Sequence, residues 1–253
     1  MRLALAQIDS GTDVATNLAA IRSAVEDAAA RGAALVCFPE YAMYEKKVVD
    51  GSFADVAEPV EGPFASAVAD LARRHAVAVI AGMVESHPQG RQPYNTLVGF
   101  GADGALVGVY RKIHLYDTYG FRESHWISRP DPPQHVVMPV AGMRVGVMTC
   151  NDLRHPSMAA RLAADGADML AVCASWVPGA QKVEQWRILT AARAIENVIV
   201  TAAVCQTPPV SIGTSLVVDP VGAVLGELGQ QAGILCVDID PDLTARARER
   251  AAS

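Results

Sequence analysis

The order of hydrophobic patterns in the first forty residues constrains the fold more than any other feature of the sequence. Residues 3–8 form an apolar run typical of a buried strand, and a helical pattern follows from about Asp13 and ends near Gly32. A second apolar run lies at residues 34–38 and ends immediately before a proline. Because a strand, a helix and a strand in this space form a βαβ unit, we predict parallel strands and an α/β fold.

The rest of the chain does not simply alternate strands with helices. A helix is predicted from Pro63, and two short strands at residues 96–100 and 105–110 flank a Gly-Ala-Asp-Gly loop suited to a hairpin. Residues 117–133 are polar, aromatic and proline-bearing without a period, and a loop of this length in a compact domain is usually functional. Further strands are predicted at residues 77–81, 136–138, 143–148, 168–173, 198–204, 213–218, 223–225 and 233–237, and further helices at 156–165 and 181–197.

Three polar residues, Glu40, Lys112 and Cys150, each end or follow a hydrophobic strand. If these strands are neighbours, their carboxyl ends converge in one crevice, where α/β folds keep their chemistry. A carboxylate, an ammonium group and a thiol suit acyl transfer, because together they supply a base, an oxyanion stabiliser and a nucleophile. The alternative is that the lysine and the glutamate are solvated or ion-paired at the surface, where charged residues are usually found.

Cys150 differs from the other cysteines because polar residues follow it in the sequence. Asn151, Asp152, Arg154 and His155 are its neighbours, and such groups can lower the pKa of a thiol and keep the thiolate nucleophilic near neutral pH. A half-buried structural thiol is the alternative, since free cysteine packs as a small hydrophobic side chain. The other cysteines fall in apolar runs without a CxxC pair, which favours reduced thiols in a cytosol. They are Cys37, Cys173, Cys205 and Cys236.

Composition and charge disfavour several classes of protein. The 253 residues are 51% hydrophobic and no linker or charge block divides them, so we expect a single domain over residues 1–253. A net charge of −6 argues against a nucleic acid or an anionic membrane as partner. No apolar run is long enough to span a bilayer, and the amino terminus lacks the pattern of a secretion signal, so a cytoplasmic protein is expected. The histidines show no metal-binding spacing.

Three blocks of the sequence resemble the signature motifs of the nitrilase superfamily, the carbon-nitrogen hydrolases. They are FPE at residues 38–40, YRKIHL at 110–115 and CNDLR at 150–154, in the order of the family and at familiar separations. Two later segments, AIEN at residues 194–197 and GTSLVVDP at 213–220, are similar to a helix and a hairpin of the same family. Five motifs in this order, spread over nearly the whole chain, are far more specific than any one of them.

The resemblance implies an α/β fold in four layers, an αββα sandwich of two mixed six-stranded sheets, with subunits that pair across helices into a homodimer or a higher homo-oligomer. It implies a catalytic triad of Glu40, Lys112 and Cys150. It also implies a second glutamate, Glu123, that orients Lys112 and the substrate nitrogen, and a solvated loop carboxylate is the alternative. In the implied mechanism the thiolate forms a thioester, and Lys112 with the backbone N–H of Asn151 stabilises the oxyanion. No metal or organic cofactor is implied.

The Lys block, the loop glutamate followed by a serine and the length of the chain are similar to those of compact amidases, the omega-amidase and deaminated-glutathione amidase group. The resemblance therefore implies hydrolysis of a small, carboxylated linear amide with release of ammonia. Residues 150–154 also resemble N-carbamoyl amino acid hydrolases, which use an arginine at the place of Arg154 to hold the substrate carboxylate, although Leu153 replaces their second arginine. Arg154 could instead pair with Asp152. Trp176, at the end of a predicted strand, is either a wall of the substrate pocket or part of the core.

Other functions stay open at the level of sequence. A non-catalytic binding or assembly protein could use the same scaffold, although the intact triad disfavours it. An enzyme that transfers the acyl group to an amine in place of water is a further alternative. His114 and His155 suggest a Cys-His dyad, which the resemblance disfavours because it assigns the base to Glu40. The acyl group, its stereochemistry and the size of the oligomer are not specified by the sequence.

Overall fold

The computed structural model describes residues 1–252, and its strands form two six-stranded sheets. The strands of the first sheet are β1 (Arg2–Gln7), β2 (Leu35–Cys37), β3 (Ala78–Glu85), β4 (Tyr94–Phe100), β5 (Leu106–Arg111) and β12 (Gly233–Asp238). They lie in the order β12-β1-β2-β3-β4-β5. The strands β1, β2 and β3 are parallel to one another, whereas β12, β4 and β5 each pair antiparallel with a neighbour.

The second sheet is also mixed. Its strands are β6 (Val137–Val140), β7 (Met143–Thr149), β8 (Met169–Ala174), β9 (Val200–Cys205), β10 (Leu216–Val218) and β11 (Val224–Glu227), in the order β11-β10-β9-β8-β7-β6. Parallel pairing joins β7, β8 and β9, and antiparallel pairing joins the others. The prediction of two mixed six-stranded sheets is therefore confirmed.

The helices begin at residues suited to a helix start. The Asp13 carboxylate accepts a hydrogen bond of 2.6 Å from the backbone N–H of Thr16, and Pro63 and Pro156 stand in the first turns of two later helices, where a missing N–H costs nothing. The helices are α1 (Val14–Ala30), α2 (Ser52–Asp55), α3 (Pro63–His75), α4 (Pro156–Ala164), α5 (Lys182–Asn197) and α6 (Leu243–Ala251).

The carboxyl-terminal helix α6 is not predicted by the sequence pattern, because its residues are charged and show no apolar stripe.

Alternating side chains along the strands produce four layers. In β1, Leu3 and Leu5 belong to the core between the two sheets, whereas Ala4 and Ala6 belong to a second core with α1 and α3. The helices α4 and α5 pack together and against the second sheet. The layers therefore run from helices through two sheets to helices, and the predicted αββα sandwich is confirmed.

The strand ends bring three turns to the same region of the sandwich. Glu40 follows β2 and Lys112 follows β5 in the first sheet, and Cys150 follows β7 in the second sheet.

Among the helices described for residues 1–252, none is both long and apolar enough to cross a membrane.

Candidate active site

Glu40, Lys112, Glu123 and Cys150 line one cleft of about 520 Å³. Each of the four side chains is almost fully buried, with exposed fractions of 1%, 2%, 5% and 7% respectively. Ionisable groups are rarely buried unless they are paired. The hydrogen-bond and ion-pair partners of these four side chains therefore indicate which chemistry the cleft can support.

The turn that carries Glu40 depends on a glycine in the neighbouring strand. A Cβ atom at Gly82 of β3 would lie 2.6 Å from both the Pro39 carbonyl oxygen and the Tyr41 nitrogen, so only glycine lets the turn pack this closely. Tyr41 itself has a φ of 56°, in the left-handed region. The turn directs the Glu40 carboxylate inward, where Oε2 accepts a 2.7 Å hydrogen bond from the backbone N–H of Ser175.

Lys112 connects the two carboxylates of the cleft. Its backbone N–H donates to the Asn95 carbonyl oxygen at 2.8 Å, which extends the pairing of β4 and β5 by one step. Its Nζ donates to Glu40 Oε1 at 2.8 Å and to Glu123 Oε2 at 2.8 Å. Burial alone would lower the pKa of Lys112, but the negative charges of Glu123 and Glu40 keep that pKa well above its ordinary value. The ammonium group is therefore a fixed positive charge.

Glu123 is held by donors on three sides. It lies in a short 3₁₀ helix (Glu123–His125) within the long loop, and its Oε2 accepts 2.7 Å from the backbone N–H of Tyr116. Its Oε1 accepts from the Tyr41 hydroxyl at 2.9 Å and from Asn95 Nδ2 at 3.0 Å. Asn95 Nδ2 also donates to Glu40 Oε1 at 2.7 Å, so a single amide group bridges the two carboxylates. This glutamate is thus part of the cleft and not a solvated loop residue.

Cys150 begins a 3₁₀ helix (Cys150–Arg154) and has a φ of 44°, a conformation that L residues rarely adopt. The carboxylate of Asp152 holds this turn by accepting from the backbone N–H of Thr149 at 2.9 Å and from the Tyr110 hydroxyl at 2.6 Å. The Cys150 Sγ lies 3.5 Å from the Ser175 carbonyl oxygen. Ser175 therefore contacts both the thiol and, through its N–H, the Glu40 carboxylate.

The expectation that polar neighbours lower the pKa of Cys150 is wrong. Burial and the charge of Glu40 raise the pKa of the thiol well above its usual value, and Lys112 opposes that shift only in part. Of the polar residues that follow it in the sequence, Asp152 is bonded to Tyr110 and to backbone groups. The thiol is therefore protonated in the resting site. Burial also raises the pKa of Glu40, with Lys112 opposing, so this carboxyl is a stronger base than an ordinary glutamate.

A second cavity adjoins the thiol. Cys150, Asn151, Arg154, Trp176 and Lys182 line it. The Arg154 guanidinium stacks over the Trp176 ring at 4.5 Å, and its Nη2 donates to Gln185 Oε1 at 2.9 Å, so Arg154 does not pair with Asp152. The indole of Trp176 is 3% exposed and belongs to the core as well as to the cavity wall. The Asn151 side chain donates to the Leu115 carbonyl oxygen at 3.2 Å.

The two histidines near the signature blocks are occupied elsewhere. His114 and His155 stack with their ring centroids 3.6 Å apart, and His114 Nδ1 lies 2.8 Å from Asp152 Oδ1. The two rings thus contact each other and the Asp152 carboxylate, not the Cys150 sulfur. The geometry therefore does not support a Cys-His dyad. Within residues 1–252, no group of three or more histidine, cysteine, aspartate or glutamate side chains could hold a metal ion.

Sequence reasoning missed three residues of the cleft, Asn95, Ser175 and Glu45. Asn95 and Ser175 lie at the start of β4 and after β8, and single polar residues at strand ends carry little signal in one sequence. Glu45 lies five residues after Glu40 in a segment without a clear pattern, yet it is 3% exposed and lines the cleft. A signal existed only for Ser175, since it follows the predicted strand at residues 168–173.

Comparisons with known proteins agree with this arrangement of the chain. A family model for carbon-nitrogen hydrolases matches residues 2–249. A Mycobacterium tuberculosis protein named only as a hydrolase is 42% identical over 268 residues, which cover 100% of this chain and 94% of the relative. An omega-amidase of Mus musculus is 31% identical over 263 residues, which cover 98% of this chain and 92% of the relative.

A solved structure of similar fold carries a covalent adduct on its active-site cysteine. This is a mutant of an amidase from Nesterenkonia sp. with a TM-score of 0.85 and 28% identity, covering 100% of this chain and 95% of that chain. It shows covalent addition of the acetamide moiety of fluoroacetamide at the active-site cysteine.

Proposed function

This chain belongs to the carbon-nitrogen hydrolase family, and from that premise we propose that it hydrolyses a small, carboxylated linear amide through a Cys150 thioester and releases ammonia. The observation that carries the proposal is the direct contact of the Lys112 ammonium with both Glu40 and Glu123 in the cleft that Cys150 lines. The similarity to an omega-amidase supports amide hydrolysis as the chemistry.

In the first half of the proposed reaction, Glu40 acts as base and then as acid. It removes the proton of the Cys150 thiol as the sulfur attacks the amide carbon, and a C–S bond forms while the carbonyl π electrons move to oxygen. The oxyanion is stabilised by the Lys112 ammonium and by the backbone N–H of Asn151. The protonated Glu40 then gives its proton to the nitrogen, the C–N bond breaks, and ammonia leaves a thioester behind.

In the second half, water replaces the amide nitrogen. Glu40 removes a proton from water, the oxygen attacks the thioester carbon, and the Cys150 sulfur leaves and regains the proton. The raised pKa values of Glu40 and Cys150 suit this exchange, because a protonated thiol needs a basic carboxyl beside it. Glu123 keeps Lys112 oriented throughout, since it contacts Nζ with both of its oxygens, at 3.1 Å and 2.8 Å.

We propose that Arg154 binds the substrate carboxylate in the second cavity, with Trp176 as the wall on which the guanidinium stacks. Lys182 also lines the second cavity and adds a second positive charge to it. Its Nζ lies 5.6 Å from the Trp176 ring centroid. An arginine suits this role, since it can hold both carboxylate oxygens at once.

Arg154→Met should raise the KM for succinamic acid about ten- to hundredfold relative to the KM for butanamide, because a charge-assisted hydrogen bond is lost. Steady-state ammonia release with both amides measures the ratio. Arg161→Met, at an exposed arginine of α4 that pairs with Asp165, is the matched control. An unchanged ratio in the Arg154 variant would show that the carboxylate binds elsewhere.

The second candidate function is N-carbamoyl amino acid hydrolysis, which is favoured by an Arg154 guanidinium that lines the same cavity as Cys150 and has no carboxylate partner in an ion pair among residues 1–252. Such an enzyme converts a ureido acid into an amine, carbon dioxide and ammonia. A screen of ω-amides and ureido acids that records both ammonia and carbon dioxide separates the two functions. Ammonia from ω-amides without carbon dioxide supports the amidase, and equal yields of both gases from ureido acids support the carbamoylase.

We also propose that the chain is one domain, that it forms a homodimer, and that it works in the cytoplasm, where its free thiols stay reduced.

The dimer is proposed from exposed apolar side chains. Ile188 and Ile195 lie two helical turns apart on α5 and are 63% and 52% exposed. Val221 is 75% exposed and lines the same surface groove as Ile195. A second copy of this face would cover them. Light scattering should give twice the chain mass, and Ile195→Glu should shift it toward the mass of one chain. A single-chain mass for the unmodified protein would exclude the dimer.

A further inference from the structure

The Asn95 side chain contacts both carboxylates of the cleft but has no role in the reaction described above. Its Nδ2 donates to Glu40 Oε1 at 2.7 Å and to Glu123 Oε1 at 3.0 Å. The ammonium nitrogen of Lys112 contacts the same two oxygens, at 2.8 Å and 3.1 Å. The amide nitrogen and the ammonium nitrogen therefore form two bridges between the same pair of oxygen atoms.

The backbone holds this amide in place. Asn95 pairs with Val84 of β3, and its carbonyl oxygen accepts from the backbone N–H of Lys112 at 2.8 Å. The side chain is 1% exposed, and its Oδ1 has no hydrogen-bond partner among residues 1–252. Turning the amide over would place Oδ1 against two carboxylates, so the N–H groups must face them. An unpartnered buried oxygen costs stability, which points to a function of this amide beyond packing.

Two buried carboxylates that lie this close together tend to share one proton. Both Oε1 atoms contact the same nitrogen, so they lie no more than two hydrogen-bond lengths apart, and their like charges repel each other. Burial raises the pKa of Glu40, Lys112 opposes that rise, and the charge of Glu123 adds to it. A proton shared by the pair would leave Glu40 unable to take the proton of the Cys150 thiol.

The Lys112 ammonium supplies one positive charge for two carboxylates, so uncharged donors must stabilise the remaining negative charge. Asn95 is the uncharged donor that contacts both carboxylates, and the others are the Tyr41 hydroxyl and the backbone N–H groups of Tyr116 and Ser175. The titratable groups that surround the pair are Lys112 after β5, Tyr41 and Glu45 after β2, and Cys150 after β7.

We propose that Asn95 is a positioning residue that keeps Glu40 and Glu123 ionised side by side in the resting site, so that Glu40 can take the thiol proton. The role rests on the proposed amidase function, because it concerns the base of that reaction. Asn95 acts through Glu40 and does not itself exchange a proton. Activity is lost at low pH when the pair takes up a proton, and the two N–H groups lower the pH at which this happens.

Asn95→Leu removes both N–H donors and nearly keeps the size of the side chain. Because the N–H groups favour the ionised pair, their loss raises the pKa of Glu40. The acidic limb of the profile of kcat/KM against pH should therefore move to higher pH by about one to two pH units. Ammonia release from butanamide, which does not titrate, measures this limb. The rate at which iodoacetamide alkylates Cys150, followed by mass spectrometry, should move in the same direction, because it needs the same proton transfer.

Asn17→Leu is the matched control. Asn17 is 2% exposed, and its Nδ2 likewise makes two hydrogen bonds, to the carbonyl oxygens of Gly11 and Met43 at 2.7 Å and 2.9 Å. Since neither acceptor is a carboxylate, this variant should lower the melting temperature and leave the acidic limb in place. Glu61→Gln, at an exposed glutamate outside the cleft, should leave both the limb and the melting temperature unchanged.

An acidic limb that stays in place in Asn95→Leu, with a loss of kcat alone, would show a merely structural role and overturn the proposal. If the leucine variant does not fold, NMR of the unmodified enzyme decides. The side-chain amide protons of Asn95 should titrate at the pH of the acidic limb, and resonances that do not move there also overturn the role. If the unmodified enzyme releases no ammonia from any amide, the proposed function fails, and the alkylation rate still tests Asn95.

Discussion

Replacement of Cys150 by alanine should abolish ammonia release from every amide that the enzyme hydrolyses. Without the thiol no C–S bond can form, and loss of a nucleophile costs about 10⁴-fold or more in kcat. The fold should persist, because the change removes one buried atom, at a cost of about 1 kcal/mol, and Asp152 still holds the turn through the Thr149 N–H. Thermal unfolding by circular dichroism and ammonia release over hours are the two measurements.

Cys236→Ala is the matched control for this variant. Cys236 is a half-buried thiol in β12, at the edge of the first sheet, and it does not line the cleft. The control should keep its activity, and iodoacetamide followed by mass spectrometry should still modify Cys150 in it. Residual amide hydrolysis in the Cys150 variant, at more than about a thousandth of the normal rate, would mean that another group is the nucleophile.

Most strands and helices of the fold could be predicted from the sequence because they depend on local hydrophobic patterns. The apolar runs around Leu35 and Val145 and the helical stripe that includes Ile21 and Val25 are each complete within a few residues. Local patterns do not predict the sandwich itself, since βαβ periodicity indicates parallel strands but not that two sheets pack face to face. That step came from the resemblance of the motifs, and the sheet order bears it out.

The partners of the candidate catalytic groups could not be predicted, because they depend on strand register and on side-chain orientation. Asn95 bridges Glu40 and Glu123 only because β4 pairs with β3 and β5 in one register, which places its amide between the two carboxylates. Gly82 looks like any strand glycine until the turn of Glu40 is seen to pass 2.6 Å from the position of a Cβ atom.

The pKa of Cys150 shows the same limit in electrostatic terms. Neighbours in sequence suggest an electropositive setting, with Arg154 and His155 close by. In the structure, Arg154 stacks on Trp176 and His155 stacks on His114, so neither supplies charge to the sulfur. Burial and the Glu40 carboxylate dominate instead. A thiol that must be deprotonated during attack makes the proposed reaction depend on Glu40 more strongly than the sequence indicates.

Replacement of Glu40 by glutamine should therefore block formation of the thioester. Glutamine is nearly isosteric and its carbonyl oxygen can still accept from the Ser175 N–H, but it can neither remove the thiol proton nor return one to the amide nitrogen. We expect kcat/KM for amides to fall by about 10²- to 10⁴-fold. Rapid quenching and mass spectrometry of the intact protein should then find no acyl group on Cys150 during turnover.

An activated ester separates the two tasks assigned to Glu40. The 4-nitrophenolate leaving group needs no proton, so its release from 4-nitrophenyl acetate in the first turnover, before water attacks the thioester, tests only the removal of the thiol proton. Release of ammonia from an amide in the first turnover tests both tasks. The Glu40→Gln variant should lose less activity on the ester than on the amide, by about tenfold or more. Glu61→Gln should leave both rates unchanged. A normal acyl-enzyme burst with an amide in the Glu40 variant would count against its role as base. Equal losses on ester and amide would exclude its role as the acid that protonates the leaving amide nitrogen.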